Sequence, residues 1–141
     1  MLFTAALPDH LQKLRCIELF ADCTTRELRR IDRLATIVRV ARGHVLCRQG
    51  EIGRECFVIL DGEADVEIKG RHFVERRGAL LGEIALLTPG GRRTADVSSR
   101  TELTVVAFNR LEFSRLLAAI PGVAHKVVRQ SARRLVEDLE F

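Results

Sequence analysis

Apolar residues recur at two different spacings along this chain, and the change of spacing divides it into three parts. Over residues 8–35 they recur every three or four positions, as in Leu11, Leu14, Leu28 and Ile31, which predicts helices. From residue 36 the period shortens toward two, and after residue 108 it returns to the helical spacing. The pattern therefore predicts helices, then a stretch of strands, then helices again.

The second N-terminal helix has its own start signal. Thr24 and Glu27 are spaced as a capping box, in which each side chain bonds the other residue's backbone N–H. The opposite face of this helix is basic, and we expect it to be solvated; the arginines concerned are Arg26, Arg29, Arg30 and Arg33.

Residues 36–108 read as short strands separated by glycine turns. Ala64, Val66 and Ile68 alternate with acidic residues, as in a strand with one buried face. Asp61-Gly62 predicts a hairpin, and Lys69-Gly70 predicts another turn. Two further strands are expected at 95–98 and 103–108. Short strands at this spacing indicate a small antiparallel barrel or roll.

In the last part, residues 109–141, the spacing of apolar residues predicts two helices. Asn109 and Glu112 form a second capping box, opening a helix through residue 119. Pro121-Gly122 is expected to break it, and a final amphipathic helix follows from residue 123. Its apolar residues need a surface to cover, on the roll or on a second copy of the chain; they are Val127, Val128, Leu135, Val136 and Leu139.

Composition narrows the class of protein. The chain has 141 residues, 47% of them hydrophobic, which fits one globular domain over residues 1–141. It has no apolar run long enough to span a membrane, and its N-terminus has no signal-peptide pattern. We therefore expect a cytoplasmic protein without membrane contact. A net charge of +4 is too dispersed to predict direct nucleic-acid binding.

The residues typical of metal or catalytic sites are scattered. The four cysteines form no C-x-x-C pair and the four histidines have no matching spacing, so we expect no metal site. We expect the cysteines to be small buried hydrophobes. No Ser-His-Asp set or phosphate-loop lysine indicates an enzyme.

Residues 82–95 carry the most specific chemistry in the chain. Gly82 precedes a single apolar helical turn, whose free N–H groups suit an anion. An arginine returning from the next strand would clamp a phosphate. Glu83 would repel that phosphate unless it accepts a hydrogen bond from a hydroxyl of the same ligand. A ribose phosphate meets both demands.

At this point the sequence resembles the cyclic nucleotide-binding domain family. Two segments carry the resemblance: residues 49–64, QGEIGRECFVILDGEA, are similar to the glycine-bounded signature of the family's roll, and residues 82–97 are similar to its phosphate-binding cassette. The resemblance implies an α+β fold, an antiparallel β-roll (jelly-roll-like) at 36–108 flanked by N-terminal helices at 8–35 and two C-terminal helices at 109–141, with the cassette at 82–95.

The resemblance also implies residue roles. Glu83 would bind the ribose 2′-hydroxyl and Arg93 the cyclic phosphate, with Arg92 as the competing guanidinium. The implied ligand-binding set is Gly82, Glu83, Ile84, Ala85, Arg93, Thr94 and Ala95. Candidates for a lid over the base lie on the last helix; they are Arg134, Leu135, Asp138 and Leu139. For Arg134, a reach to Glu83 and a solvent-facing position are equal alternatives.

The resemblance implies a regulatory sensor domain without catalytic activity or a cofactor. The expected ligand is cyclic AMP, with cyclic GMP as the alternative, and binding would move the C-terminal helices. A fused or separate effector domain and a homodimer through the C-terminal helix are the expected partners. Two alternatives remain: the ligand-binding part of a CRP/FNR-like transcription regulator, and a ligand-free interaction module of the same fold.

Overall fold

The N-terminal part folds into helices as the apolar spacing predicts. The computed structural model describes residues 9–139, with side chains described over 11–134. Helix α1 (Asp9–Arg15) leads through a 3-10 turn at Glu18–Phe20 into α2 (Thr25–Leu34). The Thr24 hydroxyl accepts from the Glu27 N–H at 3.1 Å, and the Glu27 carboxylate accepts from the Thr24 N–H at 2.9 Å. The capping box is thus confirmed, and the four arginines of α2 are exposed as expected.

Eight strands follow and form two antiparallel sheets. They are β1 (Thr36–Val40), β2 (Val45–Cys47), β3 (Glu55–Asp61), β4 (Ala64–Ile68), β5 (Arg71–Glu75), β6 (Leu80–Leu81), β7 (Asp96–Ser99) and β8 (Leu103–Asn109). The first sheet has the order β1-β8-β3-β6 and the second β2-β7-β4-β5. Together with the flanking helices they form the predicted α+β roll.

Strand β3 explains how the two sheets share a core. Cys56, Val58 and Leu60 pack on the helices, whereas Phe57 and Ile59 pack between the sheets. Both faces of this strand are therefore buried, which accounts for its uninterrupted apolar sequence. The second sheet instead has a polar outer face, on which His72 Nε2 lies 2.9 Å from Asp65 Oδ1.

The hairpin predicted at Asp61-Gly62 is wrong. Strands β3 and β4 belong to different sheets, so this turn carries the chain across the roll. Its backbone groups bond the turn between β7 and β8: Glu63 N–H donates to the Thr101 hydroxyl at 3.0 Å, and Arg100 N–H donates to the Glu63 carbonyl at 2.9 Å. The turn at Lys69-Gly70 is a true hairpin, since β4 and β5 pair from Ile68↔Arg71 onward.

Two smaller differences concern element boundaries. Strand β6 was not expected, because two leucines are too few to show a period. The helices after the roll are α4 (Arg110–Ala119) and α5 (Pro121–Leu139). Helix α5 begins at Pro121 and not after Gly122, since proline suits the first turn, where its missing N–H is not needed.

The expectation that all four cysteines are buried is half right. Cys47 and Cys56 are buried, Cys23 is half-buried and Cys16 is exposed, and all four are free thiols. Among the residues that the structure describes, no helix is long and apolar enough to cross a bilayer.

Candidate functional site

The cassette begins where β6 turns into a short helix. Gly82 has φ 80° and is the N-cap of α3 (Glu83–Leu87). This left-handed conformation favours glycine. A Cβ at Gly82 would also collide with the guanidinium of Arg93. The glycine thus lets the start of α3 and the arginine lie side by side.

Glu83 is a buried carboxylate that reaches the last helix. Its residue is 1% exposed. The Ser131 hydroxyl donates to its Oε2 at 2.9 Å, and Arg134 Nη1 lies 3.1 Å from its Oε1 and 3.4 Å from its Oε2. Of the two alternatives left open for Arg134, the structure shows the reach to Glu83. Helix α5 is thereby held against the cassette by charge-assisted hydrogen bonds.

Arg93 is held by its backbone and by its side chain. Its N–H donates to the Glu51 carbonyl at 2.8 Å, and its carbonyl accepts from the Gly50 N–H at 2.9 Å. The residue as a whole is buried, with 8% of its surface exposed. Nη1 donates to the Gly82 carbonyl at 3.1 Å, and Cζ lies 5.9 Å from the centre of the Phe57 ring. A cation over an aromatic face is favourable, so this buried charge is compensated from several sides.

The neighbouring guanidinium points elsewhere. Arg92 is exposed, and its Nη1 donates to the Gly50 carbonyl at 2.9 Å. It does not line the cavity described below. Of the two guanidinium groups, Arg93 lines the cavity and Arg92 does not; that Arg93 binds a phosphate stays a prediction.

Glu83 and Arg93 face one cavity of about 140 Å³, well above the roughly 10–15 Å³ that a single water needs. It lies between the second sheet, the cassette and α5. Its lining contains every residue of the expected ligand-binding set together with Arg134, and beyond these it contains Cys47, Val66, Ile68, Phe73, Glu75, Leu81 and Val97. The other lid candidates, Leu135, Asp138 and Leu139, have side chains outside the described residues.

The sequence prediction missed two features of this site. Ser131 was not among the lid candidates, although it lies three residues before Arg134 and so shares its helix face. The strand residues of the cavity wall were also missed, because they come from five strands that only the fold brings together.

The cavity wall contains a thiol whose ionisation reflects its burial. Burial raises the pKa of Cys47 to about 11, and the nearby positive charge of Arg93 offsets only part of that rise. Burial likewise raises the pKa of Cys56, which lies behind the wall. Over the described residues, no group of three or more His, Cys, Asp or Glu side chains could hold a metal ion.

A further arginine joins the cassette to the C-terminal helices. Arg110 Nη1 donates to the Leu86 carbonyl and Nη2 to the Ala85 carbonyl, both at 3.2 Å. These carbonyls lie in the last turn of α3, where backbone acceptors lack helical partners. Helix α4 begins at Arg110, so α3 contacts α4 through this residue and α5 through Glu83.

Comparison with known proteins identifies the family. Residues 37–119, more than half of the chain, match the cyclic nucleotide-binding domain family. The chain belongs to that family. Among relatives of this cyclic nucleotide-binding domain, the cAMP-dependent protein kinase regulatory subunit of Schizosaccharomyces pombe is 39% identical over 113 residues, covering 78% of this chain and 26% of the relative. A cyclic nucleotide-gated potassium channel of Rhizobium etli is 31% identical over 107 residues, covering 72% of this chain and 30% of the relative.

Solved structures agree with the fold. The catabolite activator protein of Thermus thermophilus superposes with a TM-score of 0.74 at 26% identity, covering 86% of this chain and 60% of that protein. The PKAR CBD2 domain, solved with Sp-2Cl-cAMPS bound, superposes with a TM-score of 0.78 at 22% identity, covering 94% of this chain and 90% of that one. The latter likeness shows the fold alone. The cyclic nucleotide-binding domain described here spans less than a third of either curated relative.

Proposed function

We propose that this chain is a regulatory domain that binds a cyclic nucleotide, cyclic AMP first and cyclic GMP as the alternative. The observation that supports this most is the pair Glu83 and Arg93. Two opposite charges, 1% and 8% exposed, line one cavity on either side of Gly82. Burying charges is costly, so such a pair is expected where a ligand needs both.

In this proposal the two charges bind adjacent groups of one ligand. The Arg93 guanidinium pairs with the cyclic phosphate, helped by the free N–H groups at the start of α3. The Glu83 carboxylate accepts a hydrogen bond from the ribose 2′-hydroxyl. Thr94 is exposed on the cavity lining, where its hydroxyl can bond the phosphate or the base edge.

Glu83 also provides the coupling to α5. Its carboxylate already accepts from Ser131 and Arg134, and a ribose hydroxyl would share the same oxygens. A carboxylate offers about four acceptor positions, so ligand and helix can bind together but each alters the other's bonds. The coupling is reciprocal: if the ligand changes the stability of α5 docking, α5 docking changes the affinity for the ligand by the same factor.

The wider role is also part of the proposal. Residues 1–141 act as one ligand-binding domain that reports to a fused or separate effector domain, and no catalytic step is assigned. Free cysteines suit a reducing compartment such as the cytoplasm. Val128 on α5 is 61% exposed, and a homodimer through α5 would cover it.

Titration calorimetry tests the binding proposal. We expect heat on adding cyclic AMP, and much weaker binding of linear 5′-AMP, whose phosphate carries a different charge and shape. Arg93→Ala should lose about 2–5 kcal/mol of binding free energy, because it removes a buried partner of the phosphate. Arg92→Ala removes the same charge from an exposed site and should bind like the wild type.

Two outcomes would contradict the proposal. Absence of binding by cyclic AMP and cyclic GMP up to millimolar concentration would favour a ligand-free interaction module. Equal losses in Arg93→Ala and Arg92→Ala would mean that the arginines act only through overall charge.

A further inference from the structure

Strand β5 places a carboxylate on the inner face of the second sheet. Glu75 lies directly opposite Ala64 in the β4–β5 pairing, and opposite residues of an antiparallel pair share a face. Ala64 is fully buried in the core between the sheets. Glu75 is half-buried and lines the cavity. Its side chain is therefore on the wall that faces the ligand site.

The part of that wall that lines the cavity beside Glu75 is apolar. It consists of Val66, Ile68 and Phe73, and Arg71, opposite Ile68 on the same face, does not line the cavity. The acidic residues Asp65 and Glu67 are on the outer face. A carboxylate on an apolar wall loses hydration and gains from a hydrogen-bond donor. Among the side chains that the structure describes, those of residues 11–134, none forms a hydrogen bond or ion pair with the Glu75 carboxylate, in contrast with Asp65, which contacts His72 and Arg100. Glu75 thus lacks a protein donor within the described part of the chain.

The position of this carboxylate indicates which part of a ligand it would meet. This step rests on the proposed function, in which Arg93 binds the phosphate and Glu83 the ribose. The base must then lie along the remaining wall, where Val66 and Phe73 offer apolar surface to a flat ring. Glu75 is an acidic group of that wall and would repel the phosphate, so it also disfavours the reversed orientation.

We propose that Glu75 recognises the base by accepting a hydrogen bond from the exocyclic amino group of adenine. An ionised carboxylate can only accept hydrogen bonds. The 6-amino group of adenine supplies a donor, whereas guanine has a carbonyl oxygen at the same ring position, and two facing acceptors repel each other. Glu75 is then a specificity-determining residue that favours cyclic AMP over cyclic GMP.

The test compares three ligands on three proteins by titration calorimetry. The ligands are cyclic AMP, cyclic GMP and purine riboside 3′,5′-cyclic monophosphate, which is cyclic AMP without its amino group. The proteins are the wild type, Glu75→Gln and Glu67→Gln. Glutamine keeps the size of the side chain, and Glu67 is an exposed residue that does not line the cavity, so its variant controls for the lost charge. Thermal unfolding checks that each variant is folded.

We expect the affinity of the wild type for cyclic AMP to be at least about ten-fold higher than for either of the other two ligands. This is the difference that one hydrogen bond to a charged group contributes. Glu75→Gln should shrink both ratios. Its amide N–H can donate to the guanine carbonyl, and its neutral amide oxygen accepts from the adenine amino group more weakly than a carboxylate does. Glu67→Gln should preserve them.

Three results would overturn this inference. Unchanged ratios in Glu75→Gln, with cyclic AMP still bound, would remove Glu75 from base recognition and leave the proposed function intact. A preference for cyclic GMP that disappears in Glu75→Gln would show that the carboxylate reads donors of guanine instead. Absence of binding by all three ligands to the wild type would overturn the proposed function, and this inference with it.

Discussion

The cavity contains two arginines, Arg93 from the roll and Arg134 from α5, and their surroundings differ. Arg93 is bound through its backbone to the segment after β2, through its side chain to Gly82, and over the Phe57 ring. Arg134 bonds one residue, Glu83, among those that the structure describes, and its side chain is 35% exposed. The fold therefore fixes the proposed phosphate site. The first half of α5 is also anchored, by the buried Val123 and Val127 and by the ion pairs of Lys126, whereas the described polar contacts of its second half over the cavity go to one carboxylate, that of Glu83.

This difference suits a regulated binding site. A phosphate site that is preorganised requires little rearrangement on binding, so most of the interaction energy appears as affinity. The end of a helix that is held by few polar contacts can change position for a small free-energy cost, which a ligand can supply by competing for those contacts. We expect mutations on the two sides to differ accordingly.

The largest effect is expected from Gly53→Ala, which disturbs the rigid side. A Cβ at Gly53 would lie 2.6 Å from the Ala85 Cβ and 2.8 Å from the Arg93 Cζ. Because Ala85 belongs to α3 and cannot rotate away, the cassette or the arginine must shift. Overpacking of this kind costs about 1–3 kcal/mol of unfolding free energy. Urea unfolding should show that loss, and cyclic AMP binding should weaken with it.

Gly122→Ala is the matched control for this substitution. An added Cβ there meets no atom within 4 Å, and the residue lies in the first turn of α5. Alanine is the better helix former, so stability should stay the same or rise slightly. If Gly53→Ala were as stable and as tightly binding as Gly122→Ala, the phosphate side would be less rigid than we infer.

A smaller effect is expected from Arg134→Ala on the side of α5. Removing one partner of a fully buried ion pair would cost about 3–5 kcal/mol. Here the cavity admits water to Glu83 once the arginine is gone, and Arg134 is already a third exposed. We therefore expect about 1 kcal/mol of lost unfolding free energy, nearer to the value of an exposed pair. The loss should shrink at high salt, where exposed charges are screened.

Arg133→Ala controls for the lost charge, since Arg133 is exposed on the same helix. Urea unfolding at low and high salt compares the two variants. A loss of several kcal/mol in Arg134→Ala would show that α5 is fixed as firmly as the roll, and equal small losses in both variants would show that the contact with Glu83 contributes nothing.

The same contrast explains what could be predicted from the sequence. The cassette is local: Gly82, Glu83 and Arg93 lie within twelve residues, and short-range signals such as the glycine turn and the capping boxes mark the elements around them. The match of residues 37–119 to the family covers this region. The fold class and the cassette residues that line the cavity could thus be identified before the structure.

The remaining parts depend on contacts between distant segments. Asp61-Gly62 has the sequence of a hairpin turn. However, β3 before it pairs with β8 and β4 after it pairs with β7, and these pairings place the two strands in different sheets. Glu75 and Cys47 line the cavity because β5 and β2 are in the same sheet. Ser131 meets Glu83 across 48 residues. The spacing of apolar residues and the turn sequences report only on neighbouring residues, so they cannot predict contacts between segments this far apart in the chain.

The last prediction needs no substitution and concerns the reactivity of Cys47, which lines the same cavity as Arg93. Burial raises its pKa from 9.0 to about 11, so below pH 9 its thiolate fraction is about a hundredfold lower than that of a thiol at the ordinary value. Cys16 is exposed and should react first with iodoacetamide at pH 8. The Cys47 rate should keep rising between pH 9 and 11, because deprotonation is completed only above the raised pKa.

Ligand protection makes this measurement specific to the cavity. Cyclic AMP should slow alkylation of Cys47, which lines the cavity, and leave Cys16 unchanged. Peptide mass spectrometry separates the two sites, and Cys56, which is buried but does not line the cavity, reports any general opening of the roll. If Cys47 reacted as fast as Cys16 at pH 8 with and without the nucleotide, the wall beside Arg93 would open readily. The contrast between a rigid roll and the loosely held second half of α5 would then fail.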